Sequence, residues 1–249
     1  MKLLKEICPF PFGVCSFEML KERLINCRKR EQLPQNARSV IVFAFPYKVK
    51  EEKPFNISRY AAVKDYHKVL EKYLENYCCA LKKEFPLNDF VWFADNSPIP
   101  EVYAGALADV GVIGKNGLLI TKEYGSFVFL GEIVTDLALS YKKEVNECAN
   151  CGLCERFCPV SLNKENCISK ITQQKKELSE EQKRLIKQNG SIWGCDICAE
   201  HCPHNKNVKL TPIKEFICSY RDSFTENEDS SERPYLWRGK DVIIRNNNL

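Results

Sequence analysis

Apolar positions in this chain follow two different periods, and each predicts its own elements. The run RSVIVFAFPY (38–47) is β-branched and aromatic between polar flanks, which predicts a buried strand. From Ser58 to about Phe85, apolar residues return every three or four positions (Tyr66, Val69, Leu70, Tyr73, Leu74, Tyr77, Leu81). That spacing predicts one long amphipathic helix, with Ser58 as its N-cap and Pro86 as its stop. FVWFAD (90–95) predicts a short strand closed by the turn DNSP, and a helix is expected from about Glu101 to Asp109, running into the glycine-bearing loop GVIGKNG. The alternating stretch 118–136, with Gly125 at its centre, predicts an antiparallel hairpin. Further on, LSEEQKRLIKQNG (178–190) predicts a charged helix capped by Ser179 and stopped by Gly190. TPIKEFICSYRDSF reads as another helix, followed by the acidic link TENEDSSE and the closing stretch RPYLWRGKDVIIRNN.

At 249 residues, 44% hydrophobic and 28% charged, the chain has enough apolar surface for one large domain or two modest ones. No apolar run is long enough to cross a bilayer, and MKLLKEICPF is too short for a signal peptide, so a soluble protein is expected. The net charge of +4 permits contact with nucleic acid without demanding it, and three histidines argue against a catalytic histidine network. Basic residues recur at Lys170, Lys175, Lys176, Lys183, Arg184 and Lys187, where nearby glutamates make a solvated face the plainer reading. A second basic group, Arg233, Arg238, Lys240 and Arg245, interleaves with Tyr235 and Trp237, aromatics suited to stacking on an unpaired base.

The cysteines change the picture. Of fourteen, eight fall into Cys148-x2-Cys151-x2-Cys154-x3-Cys158-Pro159 and Cys195-x2-Cys198-x3-Cys202-Pro203, with Cys167 between the runs. Iron needs thiolates held close together on a backbone free to wrap an inorganic core, and the terminal Cys-Pro of each run is the ligand that crosses to the other cluster. Cys148, Cys151, Cys154 and Cys202 are therefore assigned to one 4Fe–4S cluster, and Cys158, Cys167, Cys195 and Cys198 to a second. A zinc ribbon leaves the triple CxxCxxC run with a redundant ligand, and a disulfide framework suits a small secreted scaffold rather than this chain. Free thiols and clusters place the chain in a reducing cytosol. The remaining six, Cys8, Cys15, Cys27, Cys78, Cys79 and Cys218, lack ligand spacing and read as ordinary partly buried thiols.

Between Arg59 and Asn205 the segments RYAAVKDYHKVLEKYL, DNSPIPE, GVIGKNGLLITKEYGSFVFLGEI, ENCISKIT and GCDICAEHCPHN resemble, in order, the motifs of the epoxyqueuosine reductase family. The resemblance implies an α+β protein. An α/β cobalamin-binding domain of the nitroreductase-like, reductive-dehalogenase-like kind (1–145) would precede a two-[4Fe–4S] ferredoxin-like domain (146–207), and a C-terminal extension (208–249) would pack back on the core. It implies a cytoplasmic, cobalamin- and iron–sulfur-dependent oxidoreductase that reduces epoxyqueuosine to queuosine in tRNA. The implied partners are the tRNA anticodon stem-loop and an external low-potential electron donor; no membrane is involved and a monomer is expected. Family members usually continue as helical repeats that grip the tRNA, whereas this sequence ends just after IIRNN; Val102 and Val112 stand where the family usually has arginine and tryptophan. Two other readings follow from those departures: a corrinoid-dependent, dehalogenase-like reductase of a small molecule, and a non-catalytic two-cluster electron carrier.

By the same resemblance Asp95, in the motif that reads DNSP, is the proton donor, with Trp92 and Phe93 expected to desolvate its carboxyl and raise its pKa. Without the resemblance, Asp95 reads equally well as an Asx-turn ahead of Pro98. Gly114, Lys115 and Asn116, preceded by Gly111, form a loop whose amides suit close approach to a large flat cofactor. Gly125 and Ser126 belong to the implied cofactor cradle, Ser169 follows ligand Cys167 by two residues, and Tyr60 is a further cofactor contact. No Asp-x-His-x-x-Gly signature is present, so a cobalt without a protein ligand is expected. Tyr66 is expected in the core and His67 on the surface.

Overall fold

A computed structural model describes residues 2–51, 56–141, 145–227 and 231–249. The centre of the acidic link TENEDSSE (228–230) lies outside the described residues. Contacts divide the chain into two compact units, Met1–Pro46 with His67–Asn150, and Tyr47–Tyr66 with Cys151–Leu249. The segment Tyr47–Tyr66, part of the first module on the sequence reading, thus groups with the second.

The first unit is built on an antiparallel sheet in the order β1-β2-β6-β3, formed by β1 (Phe12–Ser16), β2 (Ser39–Pro46), β3 (Phe90–Phe93) and β6 (Val128–Thr135). A two-residue ladder, β4 (Val112–Ile113) with β5 (Leu119–Ile120), stands beside it. Helix α1 (Lys2–Ile7) opens the unit, followed by α2 (Tyr66–Glu84) and α3 (Glu101–Leu107). β2 is buried along its whole length, as the apolar run RSVIVFAFPY predicts. The pleat sends Val40, Val42 and Ala44 into a core shared with Phe93, Val134 and the α3 residues Ala104, Ala106 and Leu107. Phe43 and Phe45 lie on the opposite face, where Phe43 stacks on Tyr77 of α2 with ring centres 5.1 Å apart.

Two predicted elements differ. The helix expected from Ser58 begins at Tyr66, and residues Arg59–Ala61 make only a 3-10 turn. Ser58 caps nothing with its side chain, and the helix is broken further on, where the Lys64 amide donates to Ser219 Oγ (2.8 Å), the Asp65 amide to the Glu232 carbonyl (2.7 Å), and the Ala62 carbonyl accepts from the Arg221 amide (2.8 Å). A continuous helix would turn those two amides to the Tyr60 and Ala61 carbonyls and that carbonyl to the Tyr66 amide, so tertiary hydrogen bonds hold the groups its middle turn needs. The hairpin expected over 118–136 is split: β5 pairs with β4, Thr121 and Gly125 close a tight antiparallel bridge, and β6 enters the main sheet between β2 and β3. A mostly buried eight-residue strand leaves no unpaired amides only if both its edges are partnered.

The second unit is helical: α4 (Leu153–Phe157), α5 (Ile168–Thr172), α6 (Glu180–Asn189), α7 (Ile197–Glu200), α8 (Lys214–Ser219) and α9 (Lys240–Asn247). α6 carries the capping box its sequence announces, with Ser179 Oγ accepting from the Gln182 amide (3.3 Å) and Gly190 closing the helix at φ 65°. One small core joins Ile57, Ala61 and Ala62 to Trp193, Phe224, Tyr235 and Ile243. No helix among the described residues is long and apolar enough to cross a membrane.

The close approach of β1 to α3 depends on Gly13, since a Cβ there would run into the Ala108 backbone carbonyl. Gly13→Ala is expected to lower unfolding stability by about 3 kcal/mol, as overpacking against rigid backbone does; denaturant titration checks this.

Candidate active site

Strand β3 buries Phe93 and then releases the chain into DNSPIPE, a loop with unusual backbone. Asp95 and Asn96 have φ of 49° and 36°, the left-handed region that acidic and amide side chains tolerate best among residues with a Cβ. The loop is pinned from both sides: Cys27 Sγ donates to the Asn96 carbonyl (3.5 Å), the Ile25 amide to the Pro98 carbonyl (2.8 Å), and the Ile99 amide to Ser97 Oγ (3.1 Å). His67, half exposed on α2, sets its Nε2 3.1 Å from Asp95 Oδ2. The Asp95 side chain is 55% exposed, which corrects the expectation that Trp92 and Phe93 desolvate it: Phe93 turns into the core, and the loop carries Asp95 outward. Asp95 stands on the wall of a cleft of about 480 Å³ lined also by Ile25, Cys27, Ser97, Glu101 and Tyr103, a volume suited to a small ring.

The buried carboxyls of this unit are elsewhere. Glu132 on β6 sits opposite Val42 and Phe93, so its side chain emerges on the face that α3 covers, and it is fully buried. Neither carboxyl oxygen has a well-formed hydrogen bond among the described residues, with the Ser97 hydroxyl giving only partial relief. Glu101, the first residue of α3, has its Oε1 sealed from water without a hydrogen bond among the described residues. Burial, and then the charge of Asp95, push the Glu101 carboxyl up to about 7, against partial relief from the Asp95 amide, His67 and Lys29. Burial holds Glu132 well above the usual carboxylate range, and Glu101 beside it pushes the same way. Both glutamates fall inside motif segments, DNSPIPE and GVIGKNGLLITKEYGSFVFLGEI, but the sequence reading gives neither a role. The available signal was a lone carboxyl on the strand VFLGEIVT, with Leu130 and Val134 as its alternating neighbours.

The GVIGKNG loop is a tight turn between β4 and β5: the Gly114 amide donates to the Leu118 carbonyl, and the Gly117 amide to that of Gly114 (both 2.8 Å). Its Lys115 amide donates to Cys148 Sγ (3.4 Å), and the Cys148 amide donates to the Ile113 carbonyl (3.0 Å). The turn therefore positions the first predicted cluster ligand, a link absent from the sequence reading. Asn116 Oδ1 accepts from the Leu118 amide, while its Nδ2 is buried with no acceptor among the described residues. An amide donor in that state fits a ligand carbonyl such as a corrin propionamide. Gly125 closes the bridge to Thr121, and the next residue, Ser126, is buried.

In the second unit the two CxxCxxxCP runs fold alike. α4 follows Cys151 and α7 follows Cys195, each ending one residue or two before the Cys-Pro pair. The Cys158 amide donates to Glu155 and the Cys202 amide to Ala199 (3.2 and 3.1 Å), and Ser161 and Asn205 then donate back to the two cysteine carbonyls (both 3.0 Å). α4 and α7 pack together, and Phe157 and His201, equivalent positions in the two runs, stack with ring centres 3.9 Å apart. Such paired halves suit two clusters that exchange a ligand. Burial, followed by the charges of Cys198, Asp196 and Cys167, pushes the Cys195 thiol up to about 12, so three thiols assigned to one cluster lie within electrostatic reach of one another. The described residues include all fourteen cysteines, and none forms a disulfide. Among the described residues no three His, Cys, Asp or Glu side chains converge as one metal ion needs; a four-iron cluster spreads its thiolates around a larger core.

Arg59 binds the 47–66 segment to the second run, donating to Glu51, Asp196 (3.4 Å) and Glu200 (2.6 Å). Gly194, at φ 72°, passes so close to Ser58 that no side chain fits there. Tyr60, expected as a cofactor contact, accepts from Trp193 Nε1 (2.8 Å). Ser169 lies on α5, its carbonyl accepting from Gln173 Nε2 (2.9 Å). Tyr235 and Arg233 do not form the expected base-stacking surface. Tyr235 is buried edge-on against Trp193 and Phe224, Arg233 is buried and donates to the Ala62 carbonyl (3.0 Å), and only Trp237 of the pair of aromatics is exposed.

A twice-repeated thiolate module, with a carboxyl-lined cleft on the other unit, defines an oxidoreductase of mixed α/β architecture. Residues 28–96 match the family model described as Epoxyqueuosine reductase QueG, DUF1730. The epoxyqueuosine reductase of Lactococcus garvieae is 35% identical over 246 residues, covering 85% of this chain and 68% of that protein. That of Escherichia coli is 31% identical over 214 residues, covering 80% and 56%. A solved epoxyqueuosine reductase, bound to an epoxyqueuosine-modified tRNA-Tyr stem loop, superposes with a TM-score of 0.78 at 23% identity, covering 98% of this chain and 78% of that one. The chain belongs to the epoxyqueuosine reductase family.

The Glu101 carboxyl titrates near 7 when folded and at its ordinary 4.5 when unfolded. The folded state thus holds this proton more tightly. The resulting stability is full below about pH 4.5 and is lost as pH rises through about 7, up to about 3 kcal/mol. Glu101→Gln is expected to flatten that stretch of the stability–pH curve, read by denaturant unfolding at closely spaced pH values.

Proposed function

We propose that this chain is a cobalamin- and iron–sulfur-dependent reductase that converts epoxyqueuosine to queuosine in tRNA, in the cytoplasm and as a monomer, drawing electrons from an external low-potential donor. One observation carries the reading: the DNSPIPE segment sets Asp95 on the wall of a ring-sized cleft and Glu101 beside it, in a chain that also has the paired thiolate runs. Family membership supports the substrate class; the chain covers little more than half of its Escherichia coli relative.

Cys148, Cys151, Cys154 and Cys202 would hold one 4Fe–4S cluster, and Cys158, Cys167, Cys195 and Cys198 the other. Tyr60, Gly114, Lys115, Asn116, Gly125, Ser126 and Ser169 are the residues assigned to cobalamin, and the unfilled Asn116 donor is the feature that best fits an amide-rimmed ring. When bound, cobalamin supplies the reducing power at carbon and oxygen, and the clusters supply its electrons. The chain's own residues handle position and protons. Asp95 donates to the departing oxygen, His67 orients its carboxyl through Oδ2, and the pinned loop keeps that carboxyl at the cleft. The apolar wall of Ile25, Ile99 and Tyr103 excludes water from one side.

The decisive assay is anaerobic turnover of an epoxyqueuosine-containing anticodon stem-loop with cobalamin and a strong reductant, with queuosine as the expected product. No queuosine from protein loaded with iron and corrin would overturn the reading. Asp95→Asn is expected to keep the corrin spectrum and lose about 100-fold or more in turnover; undiminished turnover removes Asp95 from the role. About eight irons per chain are expected, falling to about four in Cys167→Ser, as measured by iron analysis after anaerobic reconstitution.

A further inference from the structure

Opening an epoxide to an alkene with loss of its oxygen as water consumes two electrons and two protons. A single carboxylic acid holds one proton, so the second has to reach Asp95 during turnover, from solvent or from a group behind it. Beneath the cleft lies a carboxyl that chemistry has not used. Glu132 projects from β6 on the face covered by α3, opposite Val42 and Phe93, fully buried and without a well-formed hydrogen bond among the described residues. Glu101, from the start of α3, lines the cleft and turns one sealed oxygen inward. Asp95, held at positive φ, donates its backbone amide toward the Glu101 carboxyl. Three carboxyls thus run from solvent to core in the order Asp95, Glu101, Glu132.

We infer that Glu101 and Glu132 form a buried carboxylic-acid pair that re-protonates Asp95 within a single turnover; the inference rests on the function proposed above. Asp95 gives its proton to the epoxide oxygen as the first carbon–oxygen bond breaks, and becomes a carboxylate. Glu101 then passes a proton to Asp95, which passes it to the resulting hydroxyl. That group leaves as water as the second bond breaks and the alkene forms, with both electrons drawn from the external donor. Glu101 and Glu132 are left sharing one proton, a stable arrangement for two carboxyls in one dry site. Exposed Asp95 admits a solvent proton to refill the pair. The groups facing the pair are Cys15 from β1, Lys29 from the Arg28–Gln32 turn, Ser97 and Asp95 from the loop, and His67 from α2. Among them Lys29 and His67 alone offset the negative charge left after transfer. Glu101 and Glu132 act through Asp95 and are positioning residues.

The test has a readout that needs no cofactor. Infrared spectra of the purified protein at neutral pH are expected to show a carboxylic-acid carbonyl band, shifted in D2O and lost or halved in Glu132→Gln. In single turnover of the modified stem-loop by loaded protein, Glu132→Gln is expected to slow product formation about tenfold or more, with corrin binding and KM unchanged and an altered pH profile. Glutamine keeps the shape and polarity of glutamate, so a purely structural role predicts no such change. Glu101→Gln repeats both measurements from the cleft side should Glu132→Gln fail to fold. A missing band, or variants with wild-type rate and pH profile, overturns the relay alone. No turnover by wild-type protein overturns the functional reading and the relay with it.

Discussion

A carboxyl group on a core-facing strand position, closed over by a helix, cannot carry its charge cheaply. The antiparallel register of β2, β3 and β6 puts Glu132 in that situation by the period-two rule alone, since its cross-strand partners Val42 and Phe93 are both core residues. Ionised and without a bonded partner, such a group costs several kcal/mol; protonated, it costs the lesser penalty of a polar group without full hydrogen bonding. A leucine of similar volume would carry neither cost. Fold stability therefore gives no reason for Glu132. The constraint spreads upward: with Glu132 dry, Glu101 meets little solvent and a potential like charge, and Asp95 is the member of the three open to solvent.

The second unit answers a different electrostatic problem. Asp196 lies inside the second CxxC loop, between two predicted iron ligands, and Arg59 compensates it by donating from both backbone amide and guanidinium. Glu51 and Glu200 complete the shell around that guanidinium. A helix running from Ser58 leaves its first amides free, so it is compatible with this shell; it is lost further on, where the backbone groups of Lys64, Asp65 and Ala62 bond to Ser219, Glu232 and Arg221. The 3-10 turn at Arg59–Ala61 is thus the outcome of a competition between local helix propensity and tertiary hydrogen bonds to residues 62–65.

This competition also marks what the sequence could and could not show. Ser179 and Gly190 delimit α6 because capping chemistry is local, and the cysteine spacing is equally self-contained. RSVIVFAFPY was readable because a strand buried on both faces needs only an apolar run. The start of α2 was not readable, since the groups that displace it, Ser219, Arg221 and Glu232, lie far along the chain. The hairpin at 118–136 failed for a similar reason: alternation specifies a strand but not its partner, and β6 takes β2 and β3. At the cleft, Asp95 was legible through its motif, whereas its exposure depends on backbone dihedrals that DNSP permits without dictating.

Exposure at Asp95 and burial at Glu132 belong to one design problem. A group that delivers a proton to a base presented by a large polynucleotide has to stand where that base can reach, and an accessible carboxyl in water is mostly ionised at neutral pH. A group that keeps its proton at neutral pH has to be shielded from water, and the fully buried Glu132 is shielded from substrate as well. Full exposure and full burial cannot meet in one carboxyl. A loop held at positive φ, with His67 at one carboxyl oxygen and the Glu101 carboxyl taking its amide, lets the two conditions fall on different residues.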